Sequence, residues 1–304
     1  MSVLDLSNAA RLYWGSTEAQ ALYRGSTLLW EKPEAASDIA FPSAIFDTFG
    51  VAWDPYGPGI LQTSGGSAAG VGDPIGYLPG IGNTTAYDAS TVNAAMTQAT
   101  SGNRPTLAEI GGRRALLFDG VGDRLESAWL ERFEPTIGWT AFAMVYIGET
   151  TDNTPLCFTR VANSNSFFEP FRIDGSIDTL DPGMRHSSTA FLDGDAYGAS
   201  FGGSGWKTML FEYTLSAFAT DGGRVLLEIN GSVAIEDTIT PTKPATSNIT
   251  TFTGAVIGAR RTGGTVQGFF SGHVGRCGSI SRLLTSGEKA TLRRWLEGTS
   301  YVAP

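Results

Sequence analysis

The chain has 304 residues, of which 41% are hydrophobic, and a formal net charge of −9. That is enough apolar material for one large domain or two ordinary ones. Basic residues pair only at Arg113-Arg114, Arg260-Arg261 and Arg293-Arg294, and no apolar run approaches a bilayer span, so neither nucleic-acid binding nor membrane insertion is expected.

The first residues, Met1 to Leu12, lack the basic start and apolar stretch of a secretory leader, which predicts synthesis in the cytoplasm. A phrase then occurs twice: Leu12-Tyr13-Trp14-Gly15-Ser16-Thr17 and Leu22-Tyr23-Arg24-Gly25-Ser26-Thr27. Aromatic and apolar pairs alternating with Gly-Ser-Thr breaks suit short strands and tight turns, so residues 11–31 read as a small β-meander. A sheet this small buries too little to stand alone. It is therefore expected to dock on something else through Leu12, Tyr13, Trp14, Leu22, Tyr23, Leu29 and Trp30, the other option being a first hairpin tucked into the main domain. Glu31 to Asp38 is the best linker, which divides the chain into an attachment element, 1–34, and a main domain, 35–304.

Thirty-nine glycines, well above the roughly 7% of average usage, recur with Asp, Asn, Ser and Thr between apolar runs, the mark of many strands and turns. Residues 55–106 are so rich in these that they predict a long irregular segment over a sheet surface, with Tyr56, Tyr77 and Tyr87 lining or anchoring it. Strands are expected at Arg114 to Phe118, Thr140 to Ile147, Thr208 to Leu215, Val225 to Ile229 and Ala255 to Ile257. Asn230-Gly231 after Leu226-Leu227-Glu228-Ile229 is a strong hairpin signal, and Gly202-Gly203-Ser204-Gly205 reads as a turn. Two packed antiparallel sheets follow, making an all-β sandwich. One helix closes the chain: Thr285-Ser286-Gly287-Glu288 has capping-box form, Leu292, Trp295 and Leu296 share a face, and Gly298 can end it. Its other face, Lys289, Arg293, Arg294 and Glu297, is expected in water. Trp139, Trp206 and Trp295 read as core, and Cys157 and Cys277 as buried free thiols.

Phe118-Asp119-Gly120-Val121-Gly122-Asp123, followed by Trp139 to Ile147, resembles the concanavalin A-like jelly roll of the laminin-G/pentraxin type. Trp206 to Tyr213, Leu227-Glu228-Ile229-Asn230-Gly231, Val256 to Arg260, Phe270 to Gly275 and the Leu284-Thr285-x-x-Glu288 helix match its later parts in order. Trp53-x-Pro55, Asp73-Pro74-Ile75-Gly76, Gln98-Ala99-Thr100 and Arg104-Pro105-Thr106-Leu107 resemble the segment before this domain in tailed-phage and prophage virion proteins. The doubled Leu-Tyr-x-Gly-Ser-Thr is similar to attachment segments of phage fibre and tail proteins. The resemblance implies a two-sheet jelly roll with a small N-terminal β element and a short C-terminal helix, carried on a virion among other virion proteins. A fold of this kind hosts lectins, hydrolases and adhesion modules alike, so chemistry has to be sought residue by residue.

Hydrolysis of a sugar bond needs two carboxylates flanking it. No Glu-x-Asp-x-(x)-Glu strand is present, and the lone glutamates Glu212 and Glu228 read as solvent-facing or rim residues. His186 and His273 lack a nucleophile elbow. Asp193 and Asp195 fall short of a Ca²⁺ shell, so no cofactor is expected. Sugars need an aromatic face and a few polar groups. Asp193, Asp195 and Tyr197 form the best such cluster in the sequence. The expectation is a virion fibre, spike or tail component that binds a host-surface glycan without catalysis and self-associates; a purely structural decoration or fibre-base protein and a polysaccharide depolymerase are the alternatives.

Overall fold

Strands form where apolar residues alternate between turn signals, and all five expected strands are present, each at least a residue longer than its apolar run: Arg113–Asp119, Trp139–Ile147, Gly205–Leu215, Gly223–Ile229 and Gly254–Ile257. The computed structural model describes residues 40–46, 50–83, 94–127, 138–148, 153–159, 167–174, 203–215, 223–239, 254–262 and 265–301. It also describes short segments at 13–14, 17–18, 21–24, 27–31, 131–132, 179–180, 182–186, 189–192, 199–200 and 251–252. Two antiparallel sheets carry the domain. The nine-stranded sheet runs Ser232–Ile239, Gly223–Ile229, Gly205–Leu215, Trp139–Ile147, Ser271–Ile280, Arg113–Asp119 and Thr106–Ile110, with Gly50–Trp53 beside the second half of Ser271–Ile280 and Gly80–Asn83 outside it. The eight-stranded sheet runs Thr189–Leu192, Gly183–His186, Phe167–Glu169, Leu156–Thr159, Gly254–Ile257, Leu125–Ser127, Met96–Thr97 and Tyr77–Leu78. The chain passes from one sheet to the other repeatedly, giving the two-sheet jelly-roll sandwich that the sequence predicts.

Period-two alternation splits the long strands between two cores. Trp139, Ala141, Ala143, Val145, Met209, Phe211, Tyr213, Val225 and Leu227 point between the sheets, where Trp139 packs edge-on against Phe158 and Phe168 with ring centroids 4.8 and 4.7 Å away. Phe142, Met144 and Leu210 point the other way. They form a second cluster with Phe41, Phe46, Leu292, Trp295 and Leu296, so the nine-stranded sheet is buried on both faces along much of its length. That explains why Trp139–Ile147 reads as nearly continuous apolar sequence.

Local signals act as their chemistry requires. Asn230 and Gly231 both have positive φ, 50° and 80°, forming the two-residue turn in which Ile229 pairs with Ser232. The helix spans Ser286–Glu297 with the complete capping box: the Thr285 side chain accepts from the Glu288 N–H, and the Glu288 carboxylate accepts from the Thr285 N–H at 2.8 Å. Gly298 sits at its C-cap in an extended conformation.

The Gly-rich segment departs from expectation. Instead of lying over the sandwich as one irregular stretch, it supplies Tyr77–Leu78 and Met96–Thr97 to one sheet and Gly80–Asn83 to the other. Strands of two to four residues carry too little alternation to show as a period. Tyr56 anchors: its hydroxyl accepts from the Arg114 N–H at 2.8 Å. At the N-terminus, Tyr13–Trp14 pairs with Thr17–Glu18 and Ala21–Arg24 with Thr27–Glu31, two separate hairpins rather than one continuous meander among the described residues. Leu12, and the side chains of Tyr13, Trp14, Leu22, Tyr23, Leu29 and Trp30, lie outside what is described.

Candidate functional site

The outer face of the nine-stranded sheet is where single glutamates meet the closing helix, and here the structure corrects the sequence. Glu212 and Glu228 sit on adjacent strands and are 5% and 7% exposed, not solvent-facing, because the helix lies over them. Lys289, expected in water, is 9% exposed; its Nζ donates to Glu228 Oε1 at 2.8 Å and lies 2.6 Å from Glu212 Oε2. Arg293 Nη1 donates to Glu228 Oε2 at 2.6 Å, while Glu212 Oε1 accepts from the Leu284 N–H at 3.1 Å. Arg294 stays exposed, as expected. A buried charge must be paired and hydrogen-bonded. These two carboxylates are, and each is spent on the helix instead of facing a groove.

The far end of the helix is held by Arg276, 1% exposed. Its guanidinium lies 3.0 Å from Asp54 Oδ1 and donates to the carbonyls of Trp295, Gly298 and Ser300, the last two at 3.2 and 2.6 Å. It stacks 4.8 Å from the rings of both Tyr56 and Trp295. Arg113 also donates to the Glu297 carbonyl. Cations on helix C-terminal carbonyls offset both the unpaired acceptors and the negative end of the helix dipole.

Beyond the helix, the same face carries rings. Trp206, Tyr146, His273 and Leu117 are directly opposite one another across four strands, with Thr106 next in the row. Trp206 and Tyr146 stand 5.6 Å apart at 75°, and Tyr146 and His273 5.9 Å apart at 79°, a herringbone of three rings. All three are half-buried, and Leu117 is 36% exposed. Trp139 and Trp295 are core as expected, whereas Trp206 is only half-buried at the margin of the second cluster: its residue parity puts it with Leu210 and Glu212 on the outer face, where Nε1 donates to the Ile110 carbonyl at 3.1 Å. Beside it a shallow cleft is lined by Trp206, Met144, Arg113, Arg276, Leu296 and Gly298, among others. Burial lowers the His273 pKa, leaving a neutral imidazole at pH 7. Such a row offers apolar faces edged by hydroxyl and ring-nitrogen groups. The sequence signal was Trp206 alternating in phase with Glu212.

Asp193, Asp195 and Tyr197, the cluster singled out from sequence, lie outside the described residues, as does the His186 side chain. Among the described residues, no group of three or more His, Cys, Asp and Glu side chains stands together to hold a metal. Cys157 and Cys277 are free and buried, and burial pushes both thiols well above their ordinary range. In the Asp119–Asp123 loop, Asp119 Oδ1 accepts from the N–H groups of Val121, Gly122 and Asp123. Burial, then repulsion from Asp119, pushes the Asp123 carboxyl up to about 6. The loop ties itself together.

No protein-family model and no curated protein matches the sequence. Solved β structures do resemble it. The CBM40 of Ruminococcus gnavus IT-sialidase bound to α2,3-sialyllactose aligns with TM-score 0.39 and 16% identity over 52% of this chain and 82% of that one. The alginate lyase Aly36B gives 0.39 and 12% over 62% and 88%. The NanB sialidase of Streptococcus pneumoniae gives 0.37 and 13% over 51% of this chain, and the aligned part is 23% of the sialidase. At such identities the chemistry of those proteins stays with them.

Proposed function

We propose that this chain is a glycan-binding jelly-roll protein without hydrolytic activity, a tailed-phage virion component that attaches by its N-terminal hairpins and presents the sandwich to a host-surface glycan. The observation that carries the binding reading is the row Trp206, Tyr146, His273 and Leu117 on the part of the outer face that the helix leaves open. Sugar C–H faces pack on rings while hydroxyls seek polar edges, which this row supplies. The non-hydrolytic reading is supported by Glu212 and Glu228, whose carboxylates are taken up by Lys289, Arg293 and the Leu284 N–H. Many copies on one particle would multiply a weak single-site affinity.

The test is the full-length chain on an array of bacterial polysaccharides. Binding is expected, and Trp206→Ala or Tyr146→Ala should each weaken it about tenfold, near 1.4 kcal/mol, for the loss of one stacking ring. Silence across the array, or variants that bind like the parent, removes the binding reading. Deleting residues 1–34 should abolish particle incorporation without changing the melting of the sandwich; incorporation of the truncated chain removes the attachment reading.

A further inference from the structure

Lys289, Glu212 and Glu228, balanced in charge by Arg293, form more than an ion-pair cluster. A primary amine, 2.6 Å from one carboxylate oxygen and 2.8 Å from another, is held where water is excluded by the helix above and the sheet below. The two carboxylates differ in a way that assigns them roles. Glu228 has its second oxygen fixed by Arg293 Nη1 at 2.6 Å, a charge-assisted hydrogen bond that holds the carboxylate in place. Glu212 is held differently: its second oxygen accepts a backbone N–H, that of Leu284, at 3.1 Å. A backbone N–H aimed at a carbonyl oxygen is the device that stabilises an oxyanion in acyl transfer.

We propose that Lys289 and Glu212 condense to an intramolecular isopeptide bond, with Glu228 as the proton carrier. The ammonium first passes a proton to Glu212 Oε2 across the 2.6 Å contact, giving a neutral amine beside a carboxylic acid. The amine Nζ then attacks Glu212 Cδ, and the charge developing on Oε1 is taken by the Leu284 N–H. Glu228 Oε1, 2.8 Å from Nζ, accepts the proton that the new bond displaces and delivers it to Oε2. The Cδ–Oε2 bond breaks, one water leaves, and Glu228 returns to the carboxylate that Arg293 holds. Atoms and charge balance with no oxidant, reductant or co-reactant. Fixed placement supplies the rate, since the amine and the acid are already in contact.

The bond would tie the strand Gly205–Leu215 to the C-terminal helix across the outer face, beside the Asn230-Gly231 hairpin. A protein displayed outside a cell would gain a fastening that neither reduction nor proteolysis of the helix loop undoes. This inference does not depend on the glycan reading.

The experiment is intact-mass spectrometry of the purified full-length chain, followed by sequencing of its tryptic peptides. The expected mass is one water below the sequence mass, with a branched peptide joining the segment that contains Glu212 to the one that contains Lys289, and no cleavage after Lys289. Glu228→Gln, which keeps the shape but cannot carry the proton, should restore the full sequence mass while circular dichroism and the thermal transition show a folded protein. Lys289→Arg should do the same with the cation retained. A wild-type chain at full sequence mass overturns the proposal. So does a water loss that maps to an Asp-Gly succinimide such as Asp119-Gly120, or a Glu228→Gln chain that is still one water light.

Discussion

Replacing Arg276 with methionine removes a cation that is 1% exposed and leaves Asp54, 3% exposed, without its partner. Breaking one side of a buried ion pair costs about 3–5 kcal/mol, because the remaining charge stays desolvated. The carbonyls of Trp295, Gly298 and Ser300 also lose their donor, though water can reach those at the helix end. Against a total stability of about 5–15 kcal/mol, the variant should remain folded but melt roughly 10 °C lower. Urea titration followed by tryptophan fluorescence measures this, with an unchanged slope showing that the unfolded state is unaltered. Asp54→Asn in the same chain should recover more than half of the loss, since no buried charge is then stranded. The pH dependence has a fixed sign. Burial already raises the Asp54 carboxyl, with Arg276 opposing, so without Arg276 it rises further and the ionised form is the destabilising one. The deficit of Arg276→Met should therefore shrink as Asp54 protonates on acidification. A loss under about 1 kcal/mol, or one that does not shrink on acidification, would refute the view that Arg276 holds a buried carboxylate and the helix end together.

Thr285→Ala opens the capping box and should cost about 1 kcal/mol in the same urea assay. Hydrogen bonds from the Arg282 guanidinium hold the Glu288 carboxyl down to about 2, so its contribution is complete above the unfolded value of 4.5 and disappears as pH falls through 2; the stability gap between wild type and Glu288→Gln should close over that window. Asp123 runs the other way: with its carboxyl at about 6 in the fold and 3.8 unfolded, it favours folding only while protonated, so Asp123→Asn should gain on wild type as pH rises from 4 to 7, which melts across that range would register. Gly258→Ala should be severely destabilising in thermal melts, for φ is +85° and a Cβ there would stand 2.1 Å from the Phe118 ring. Cys157 and Cys277 should resist alkylation in the native protein and react once it unfolds, as a mass shift on each would report.

The same alternation that exposed the fold explains what it hid. Parity along Gly205–Leu215 correctly separates Met209, Phe211 and Tyr213 from Trp206, Leu210 and Glu212, and the Asn-Gly turn and capping box each act over two to four residues, so all were legible in sequence. Parity assigns a face without saying what covers it. Glu212 and Glu228 point outward as their positions dictate, but their environment is set by Lys289 and Arg293, more than sixty residues further on, whose own face read as solvated because it is charged. Two opposite errors thus have one cause: acids and bases that look like surface when read apart are a buried pair when the helix docks, since each neutralises the other's cost of leaving water. Trp206 is the mirror case. It read as core from its apolar neighbours, yet the helix ends at Glu297, and Trp206, Tyr146 and His273 lie past that end, half-buried on the outer face.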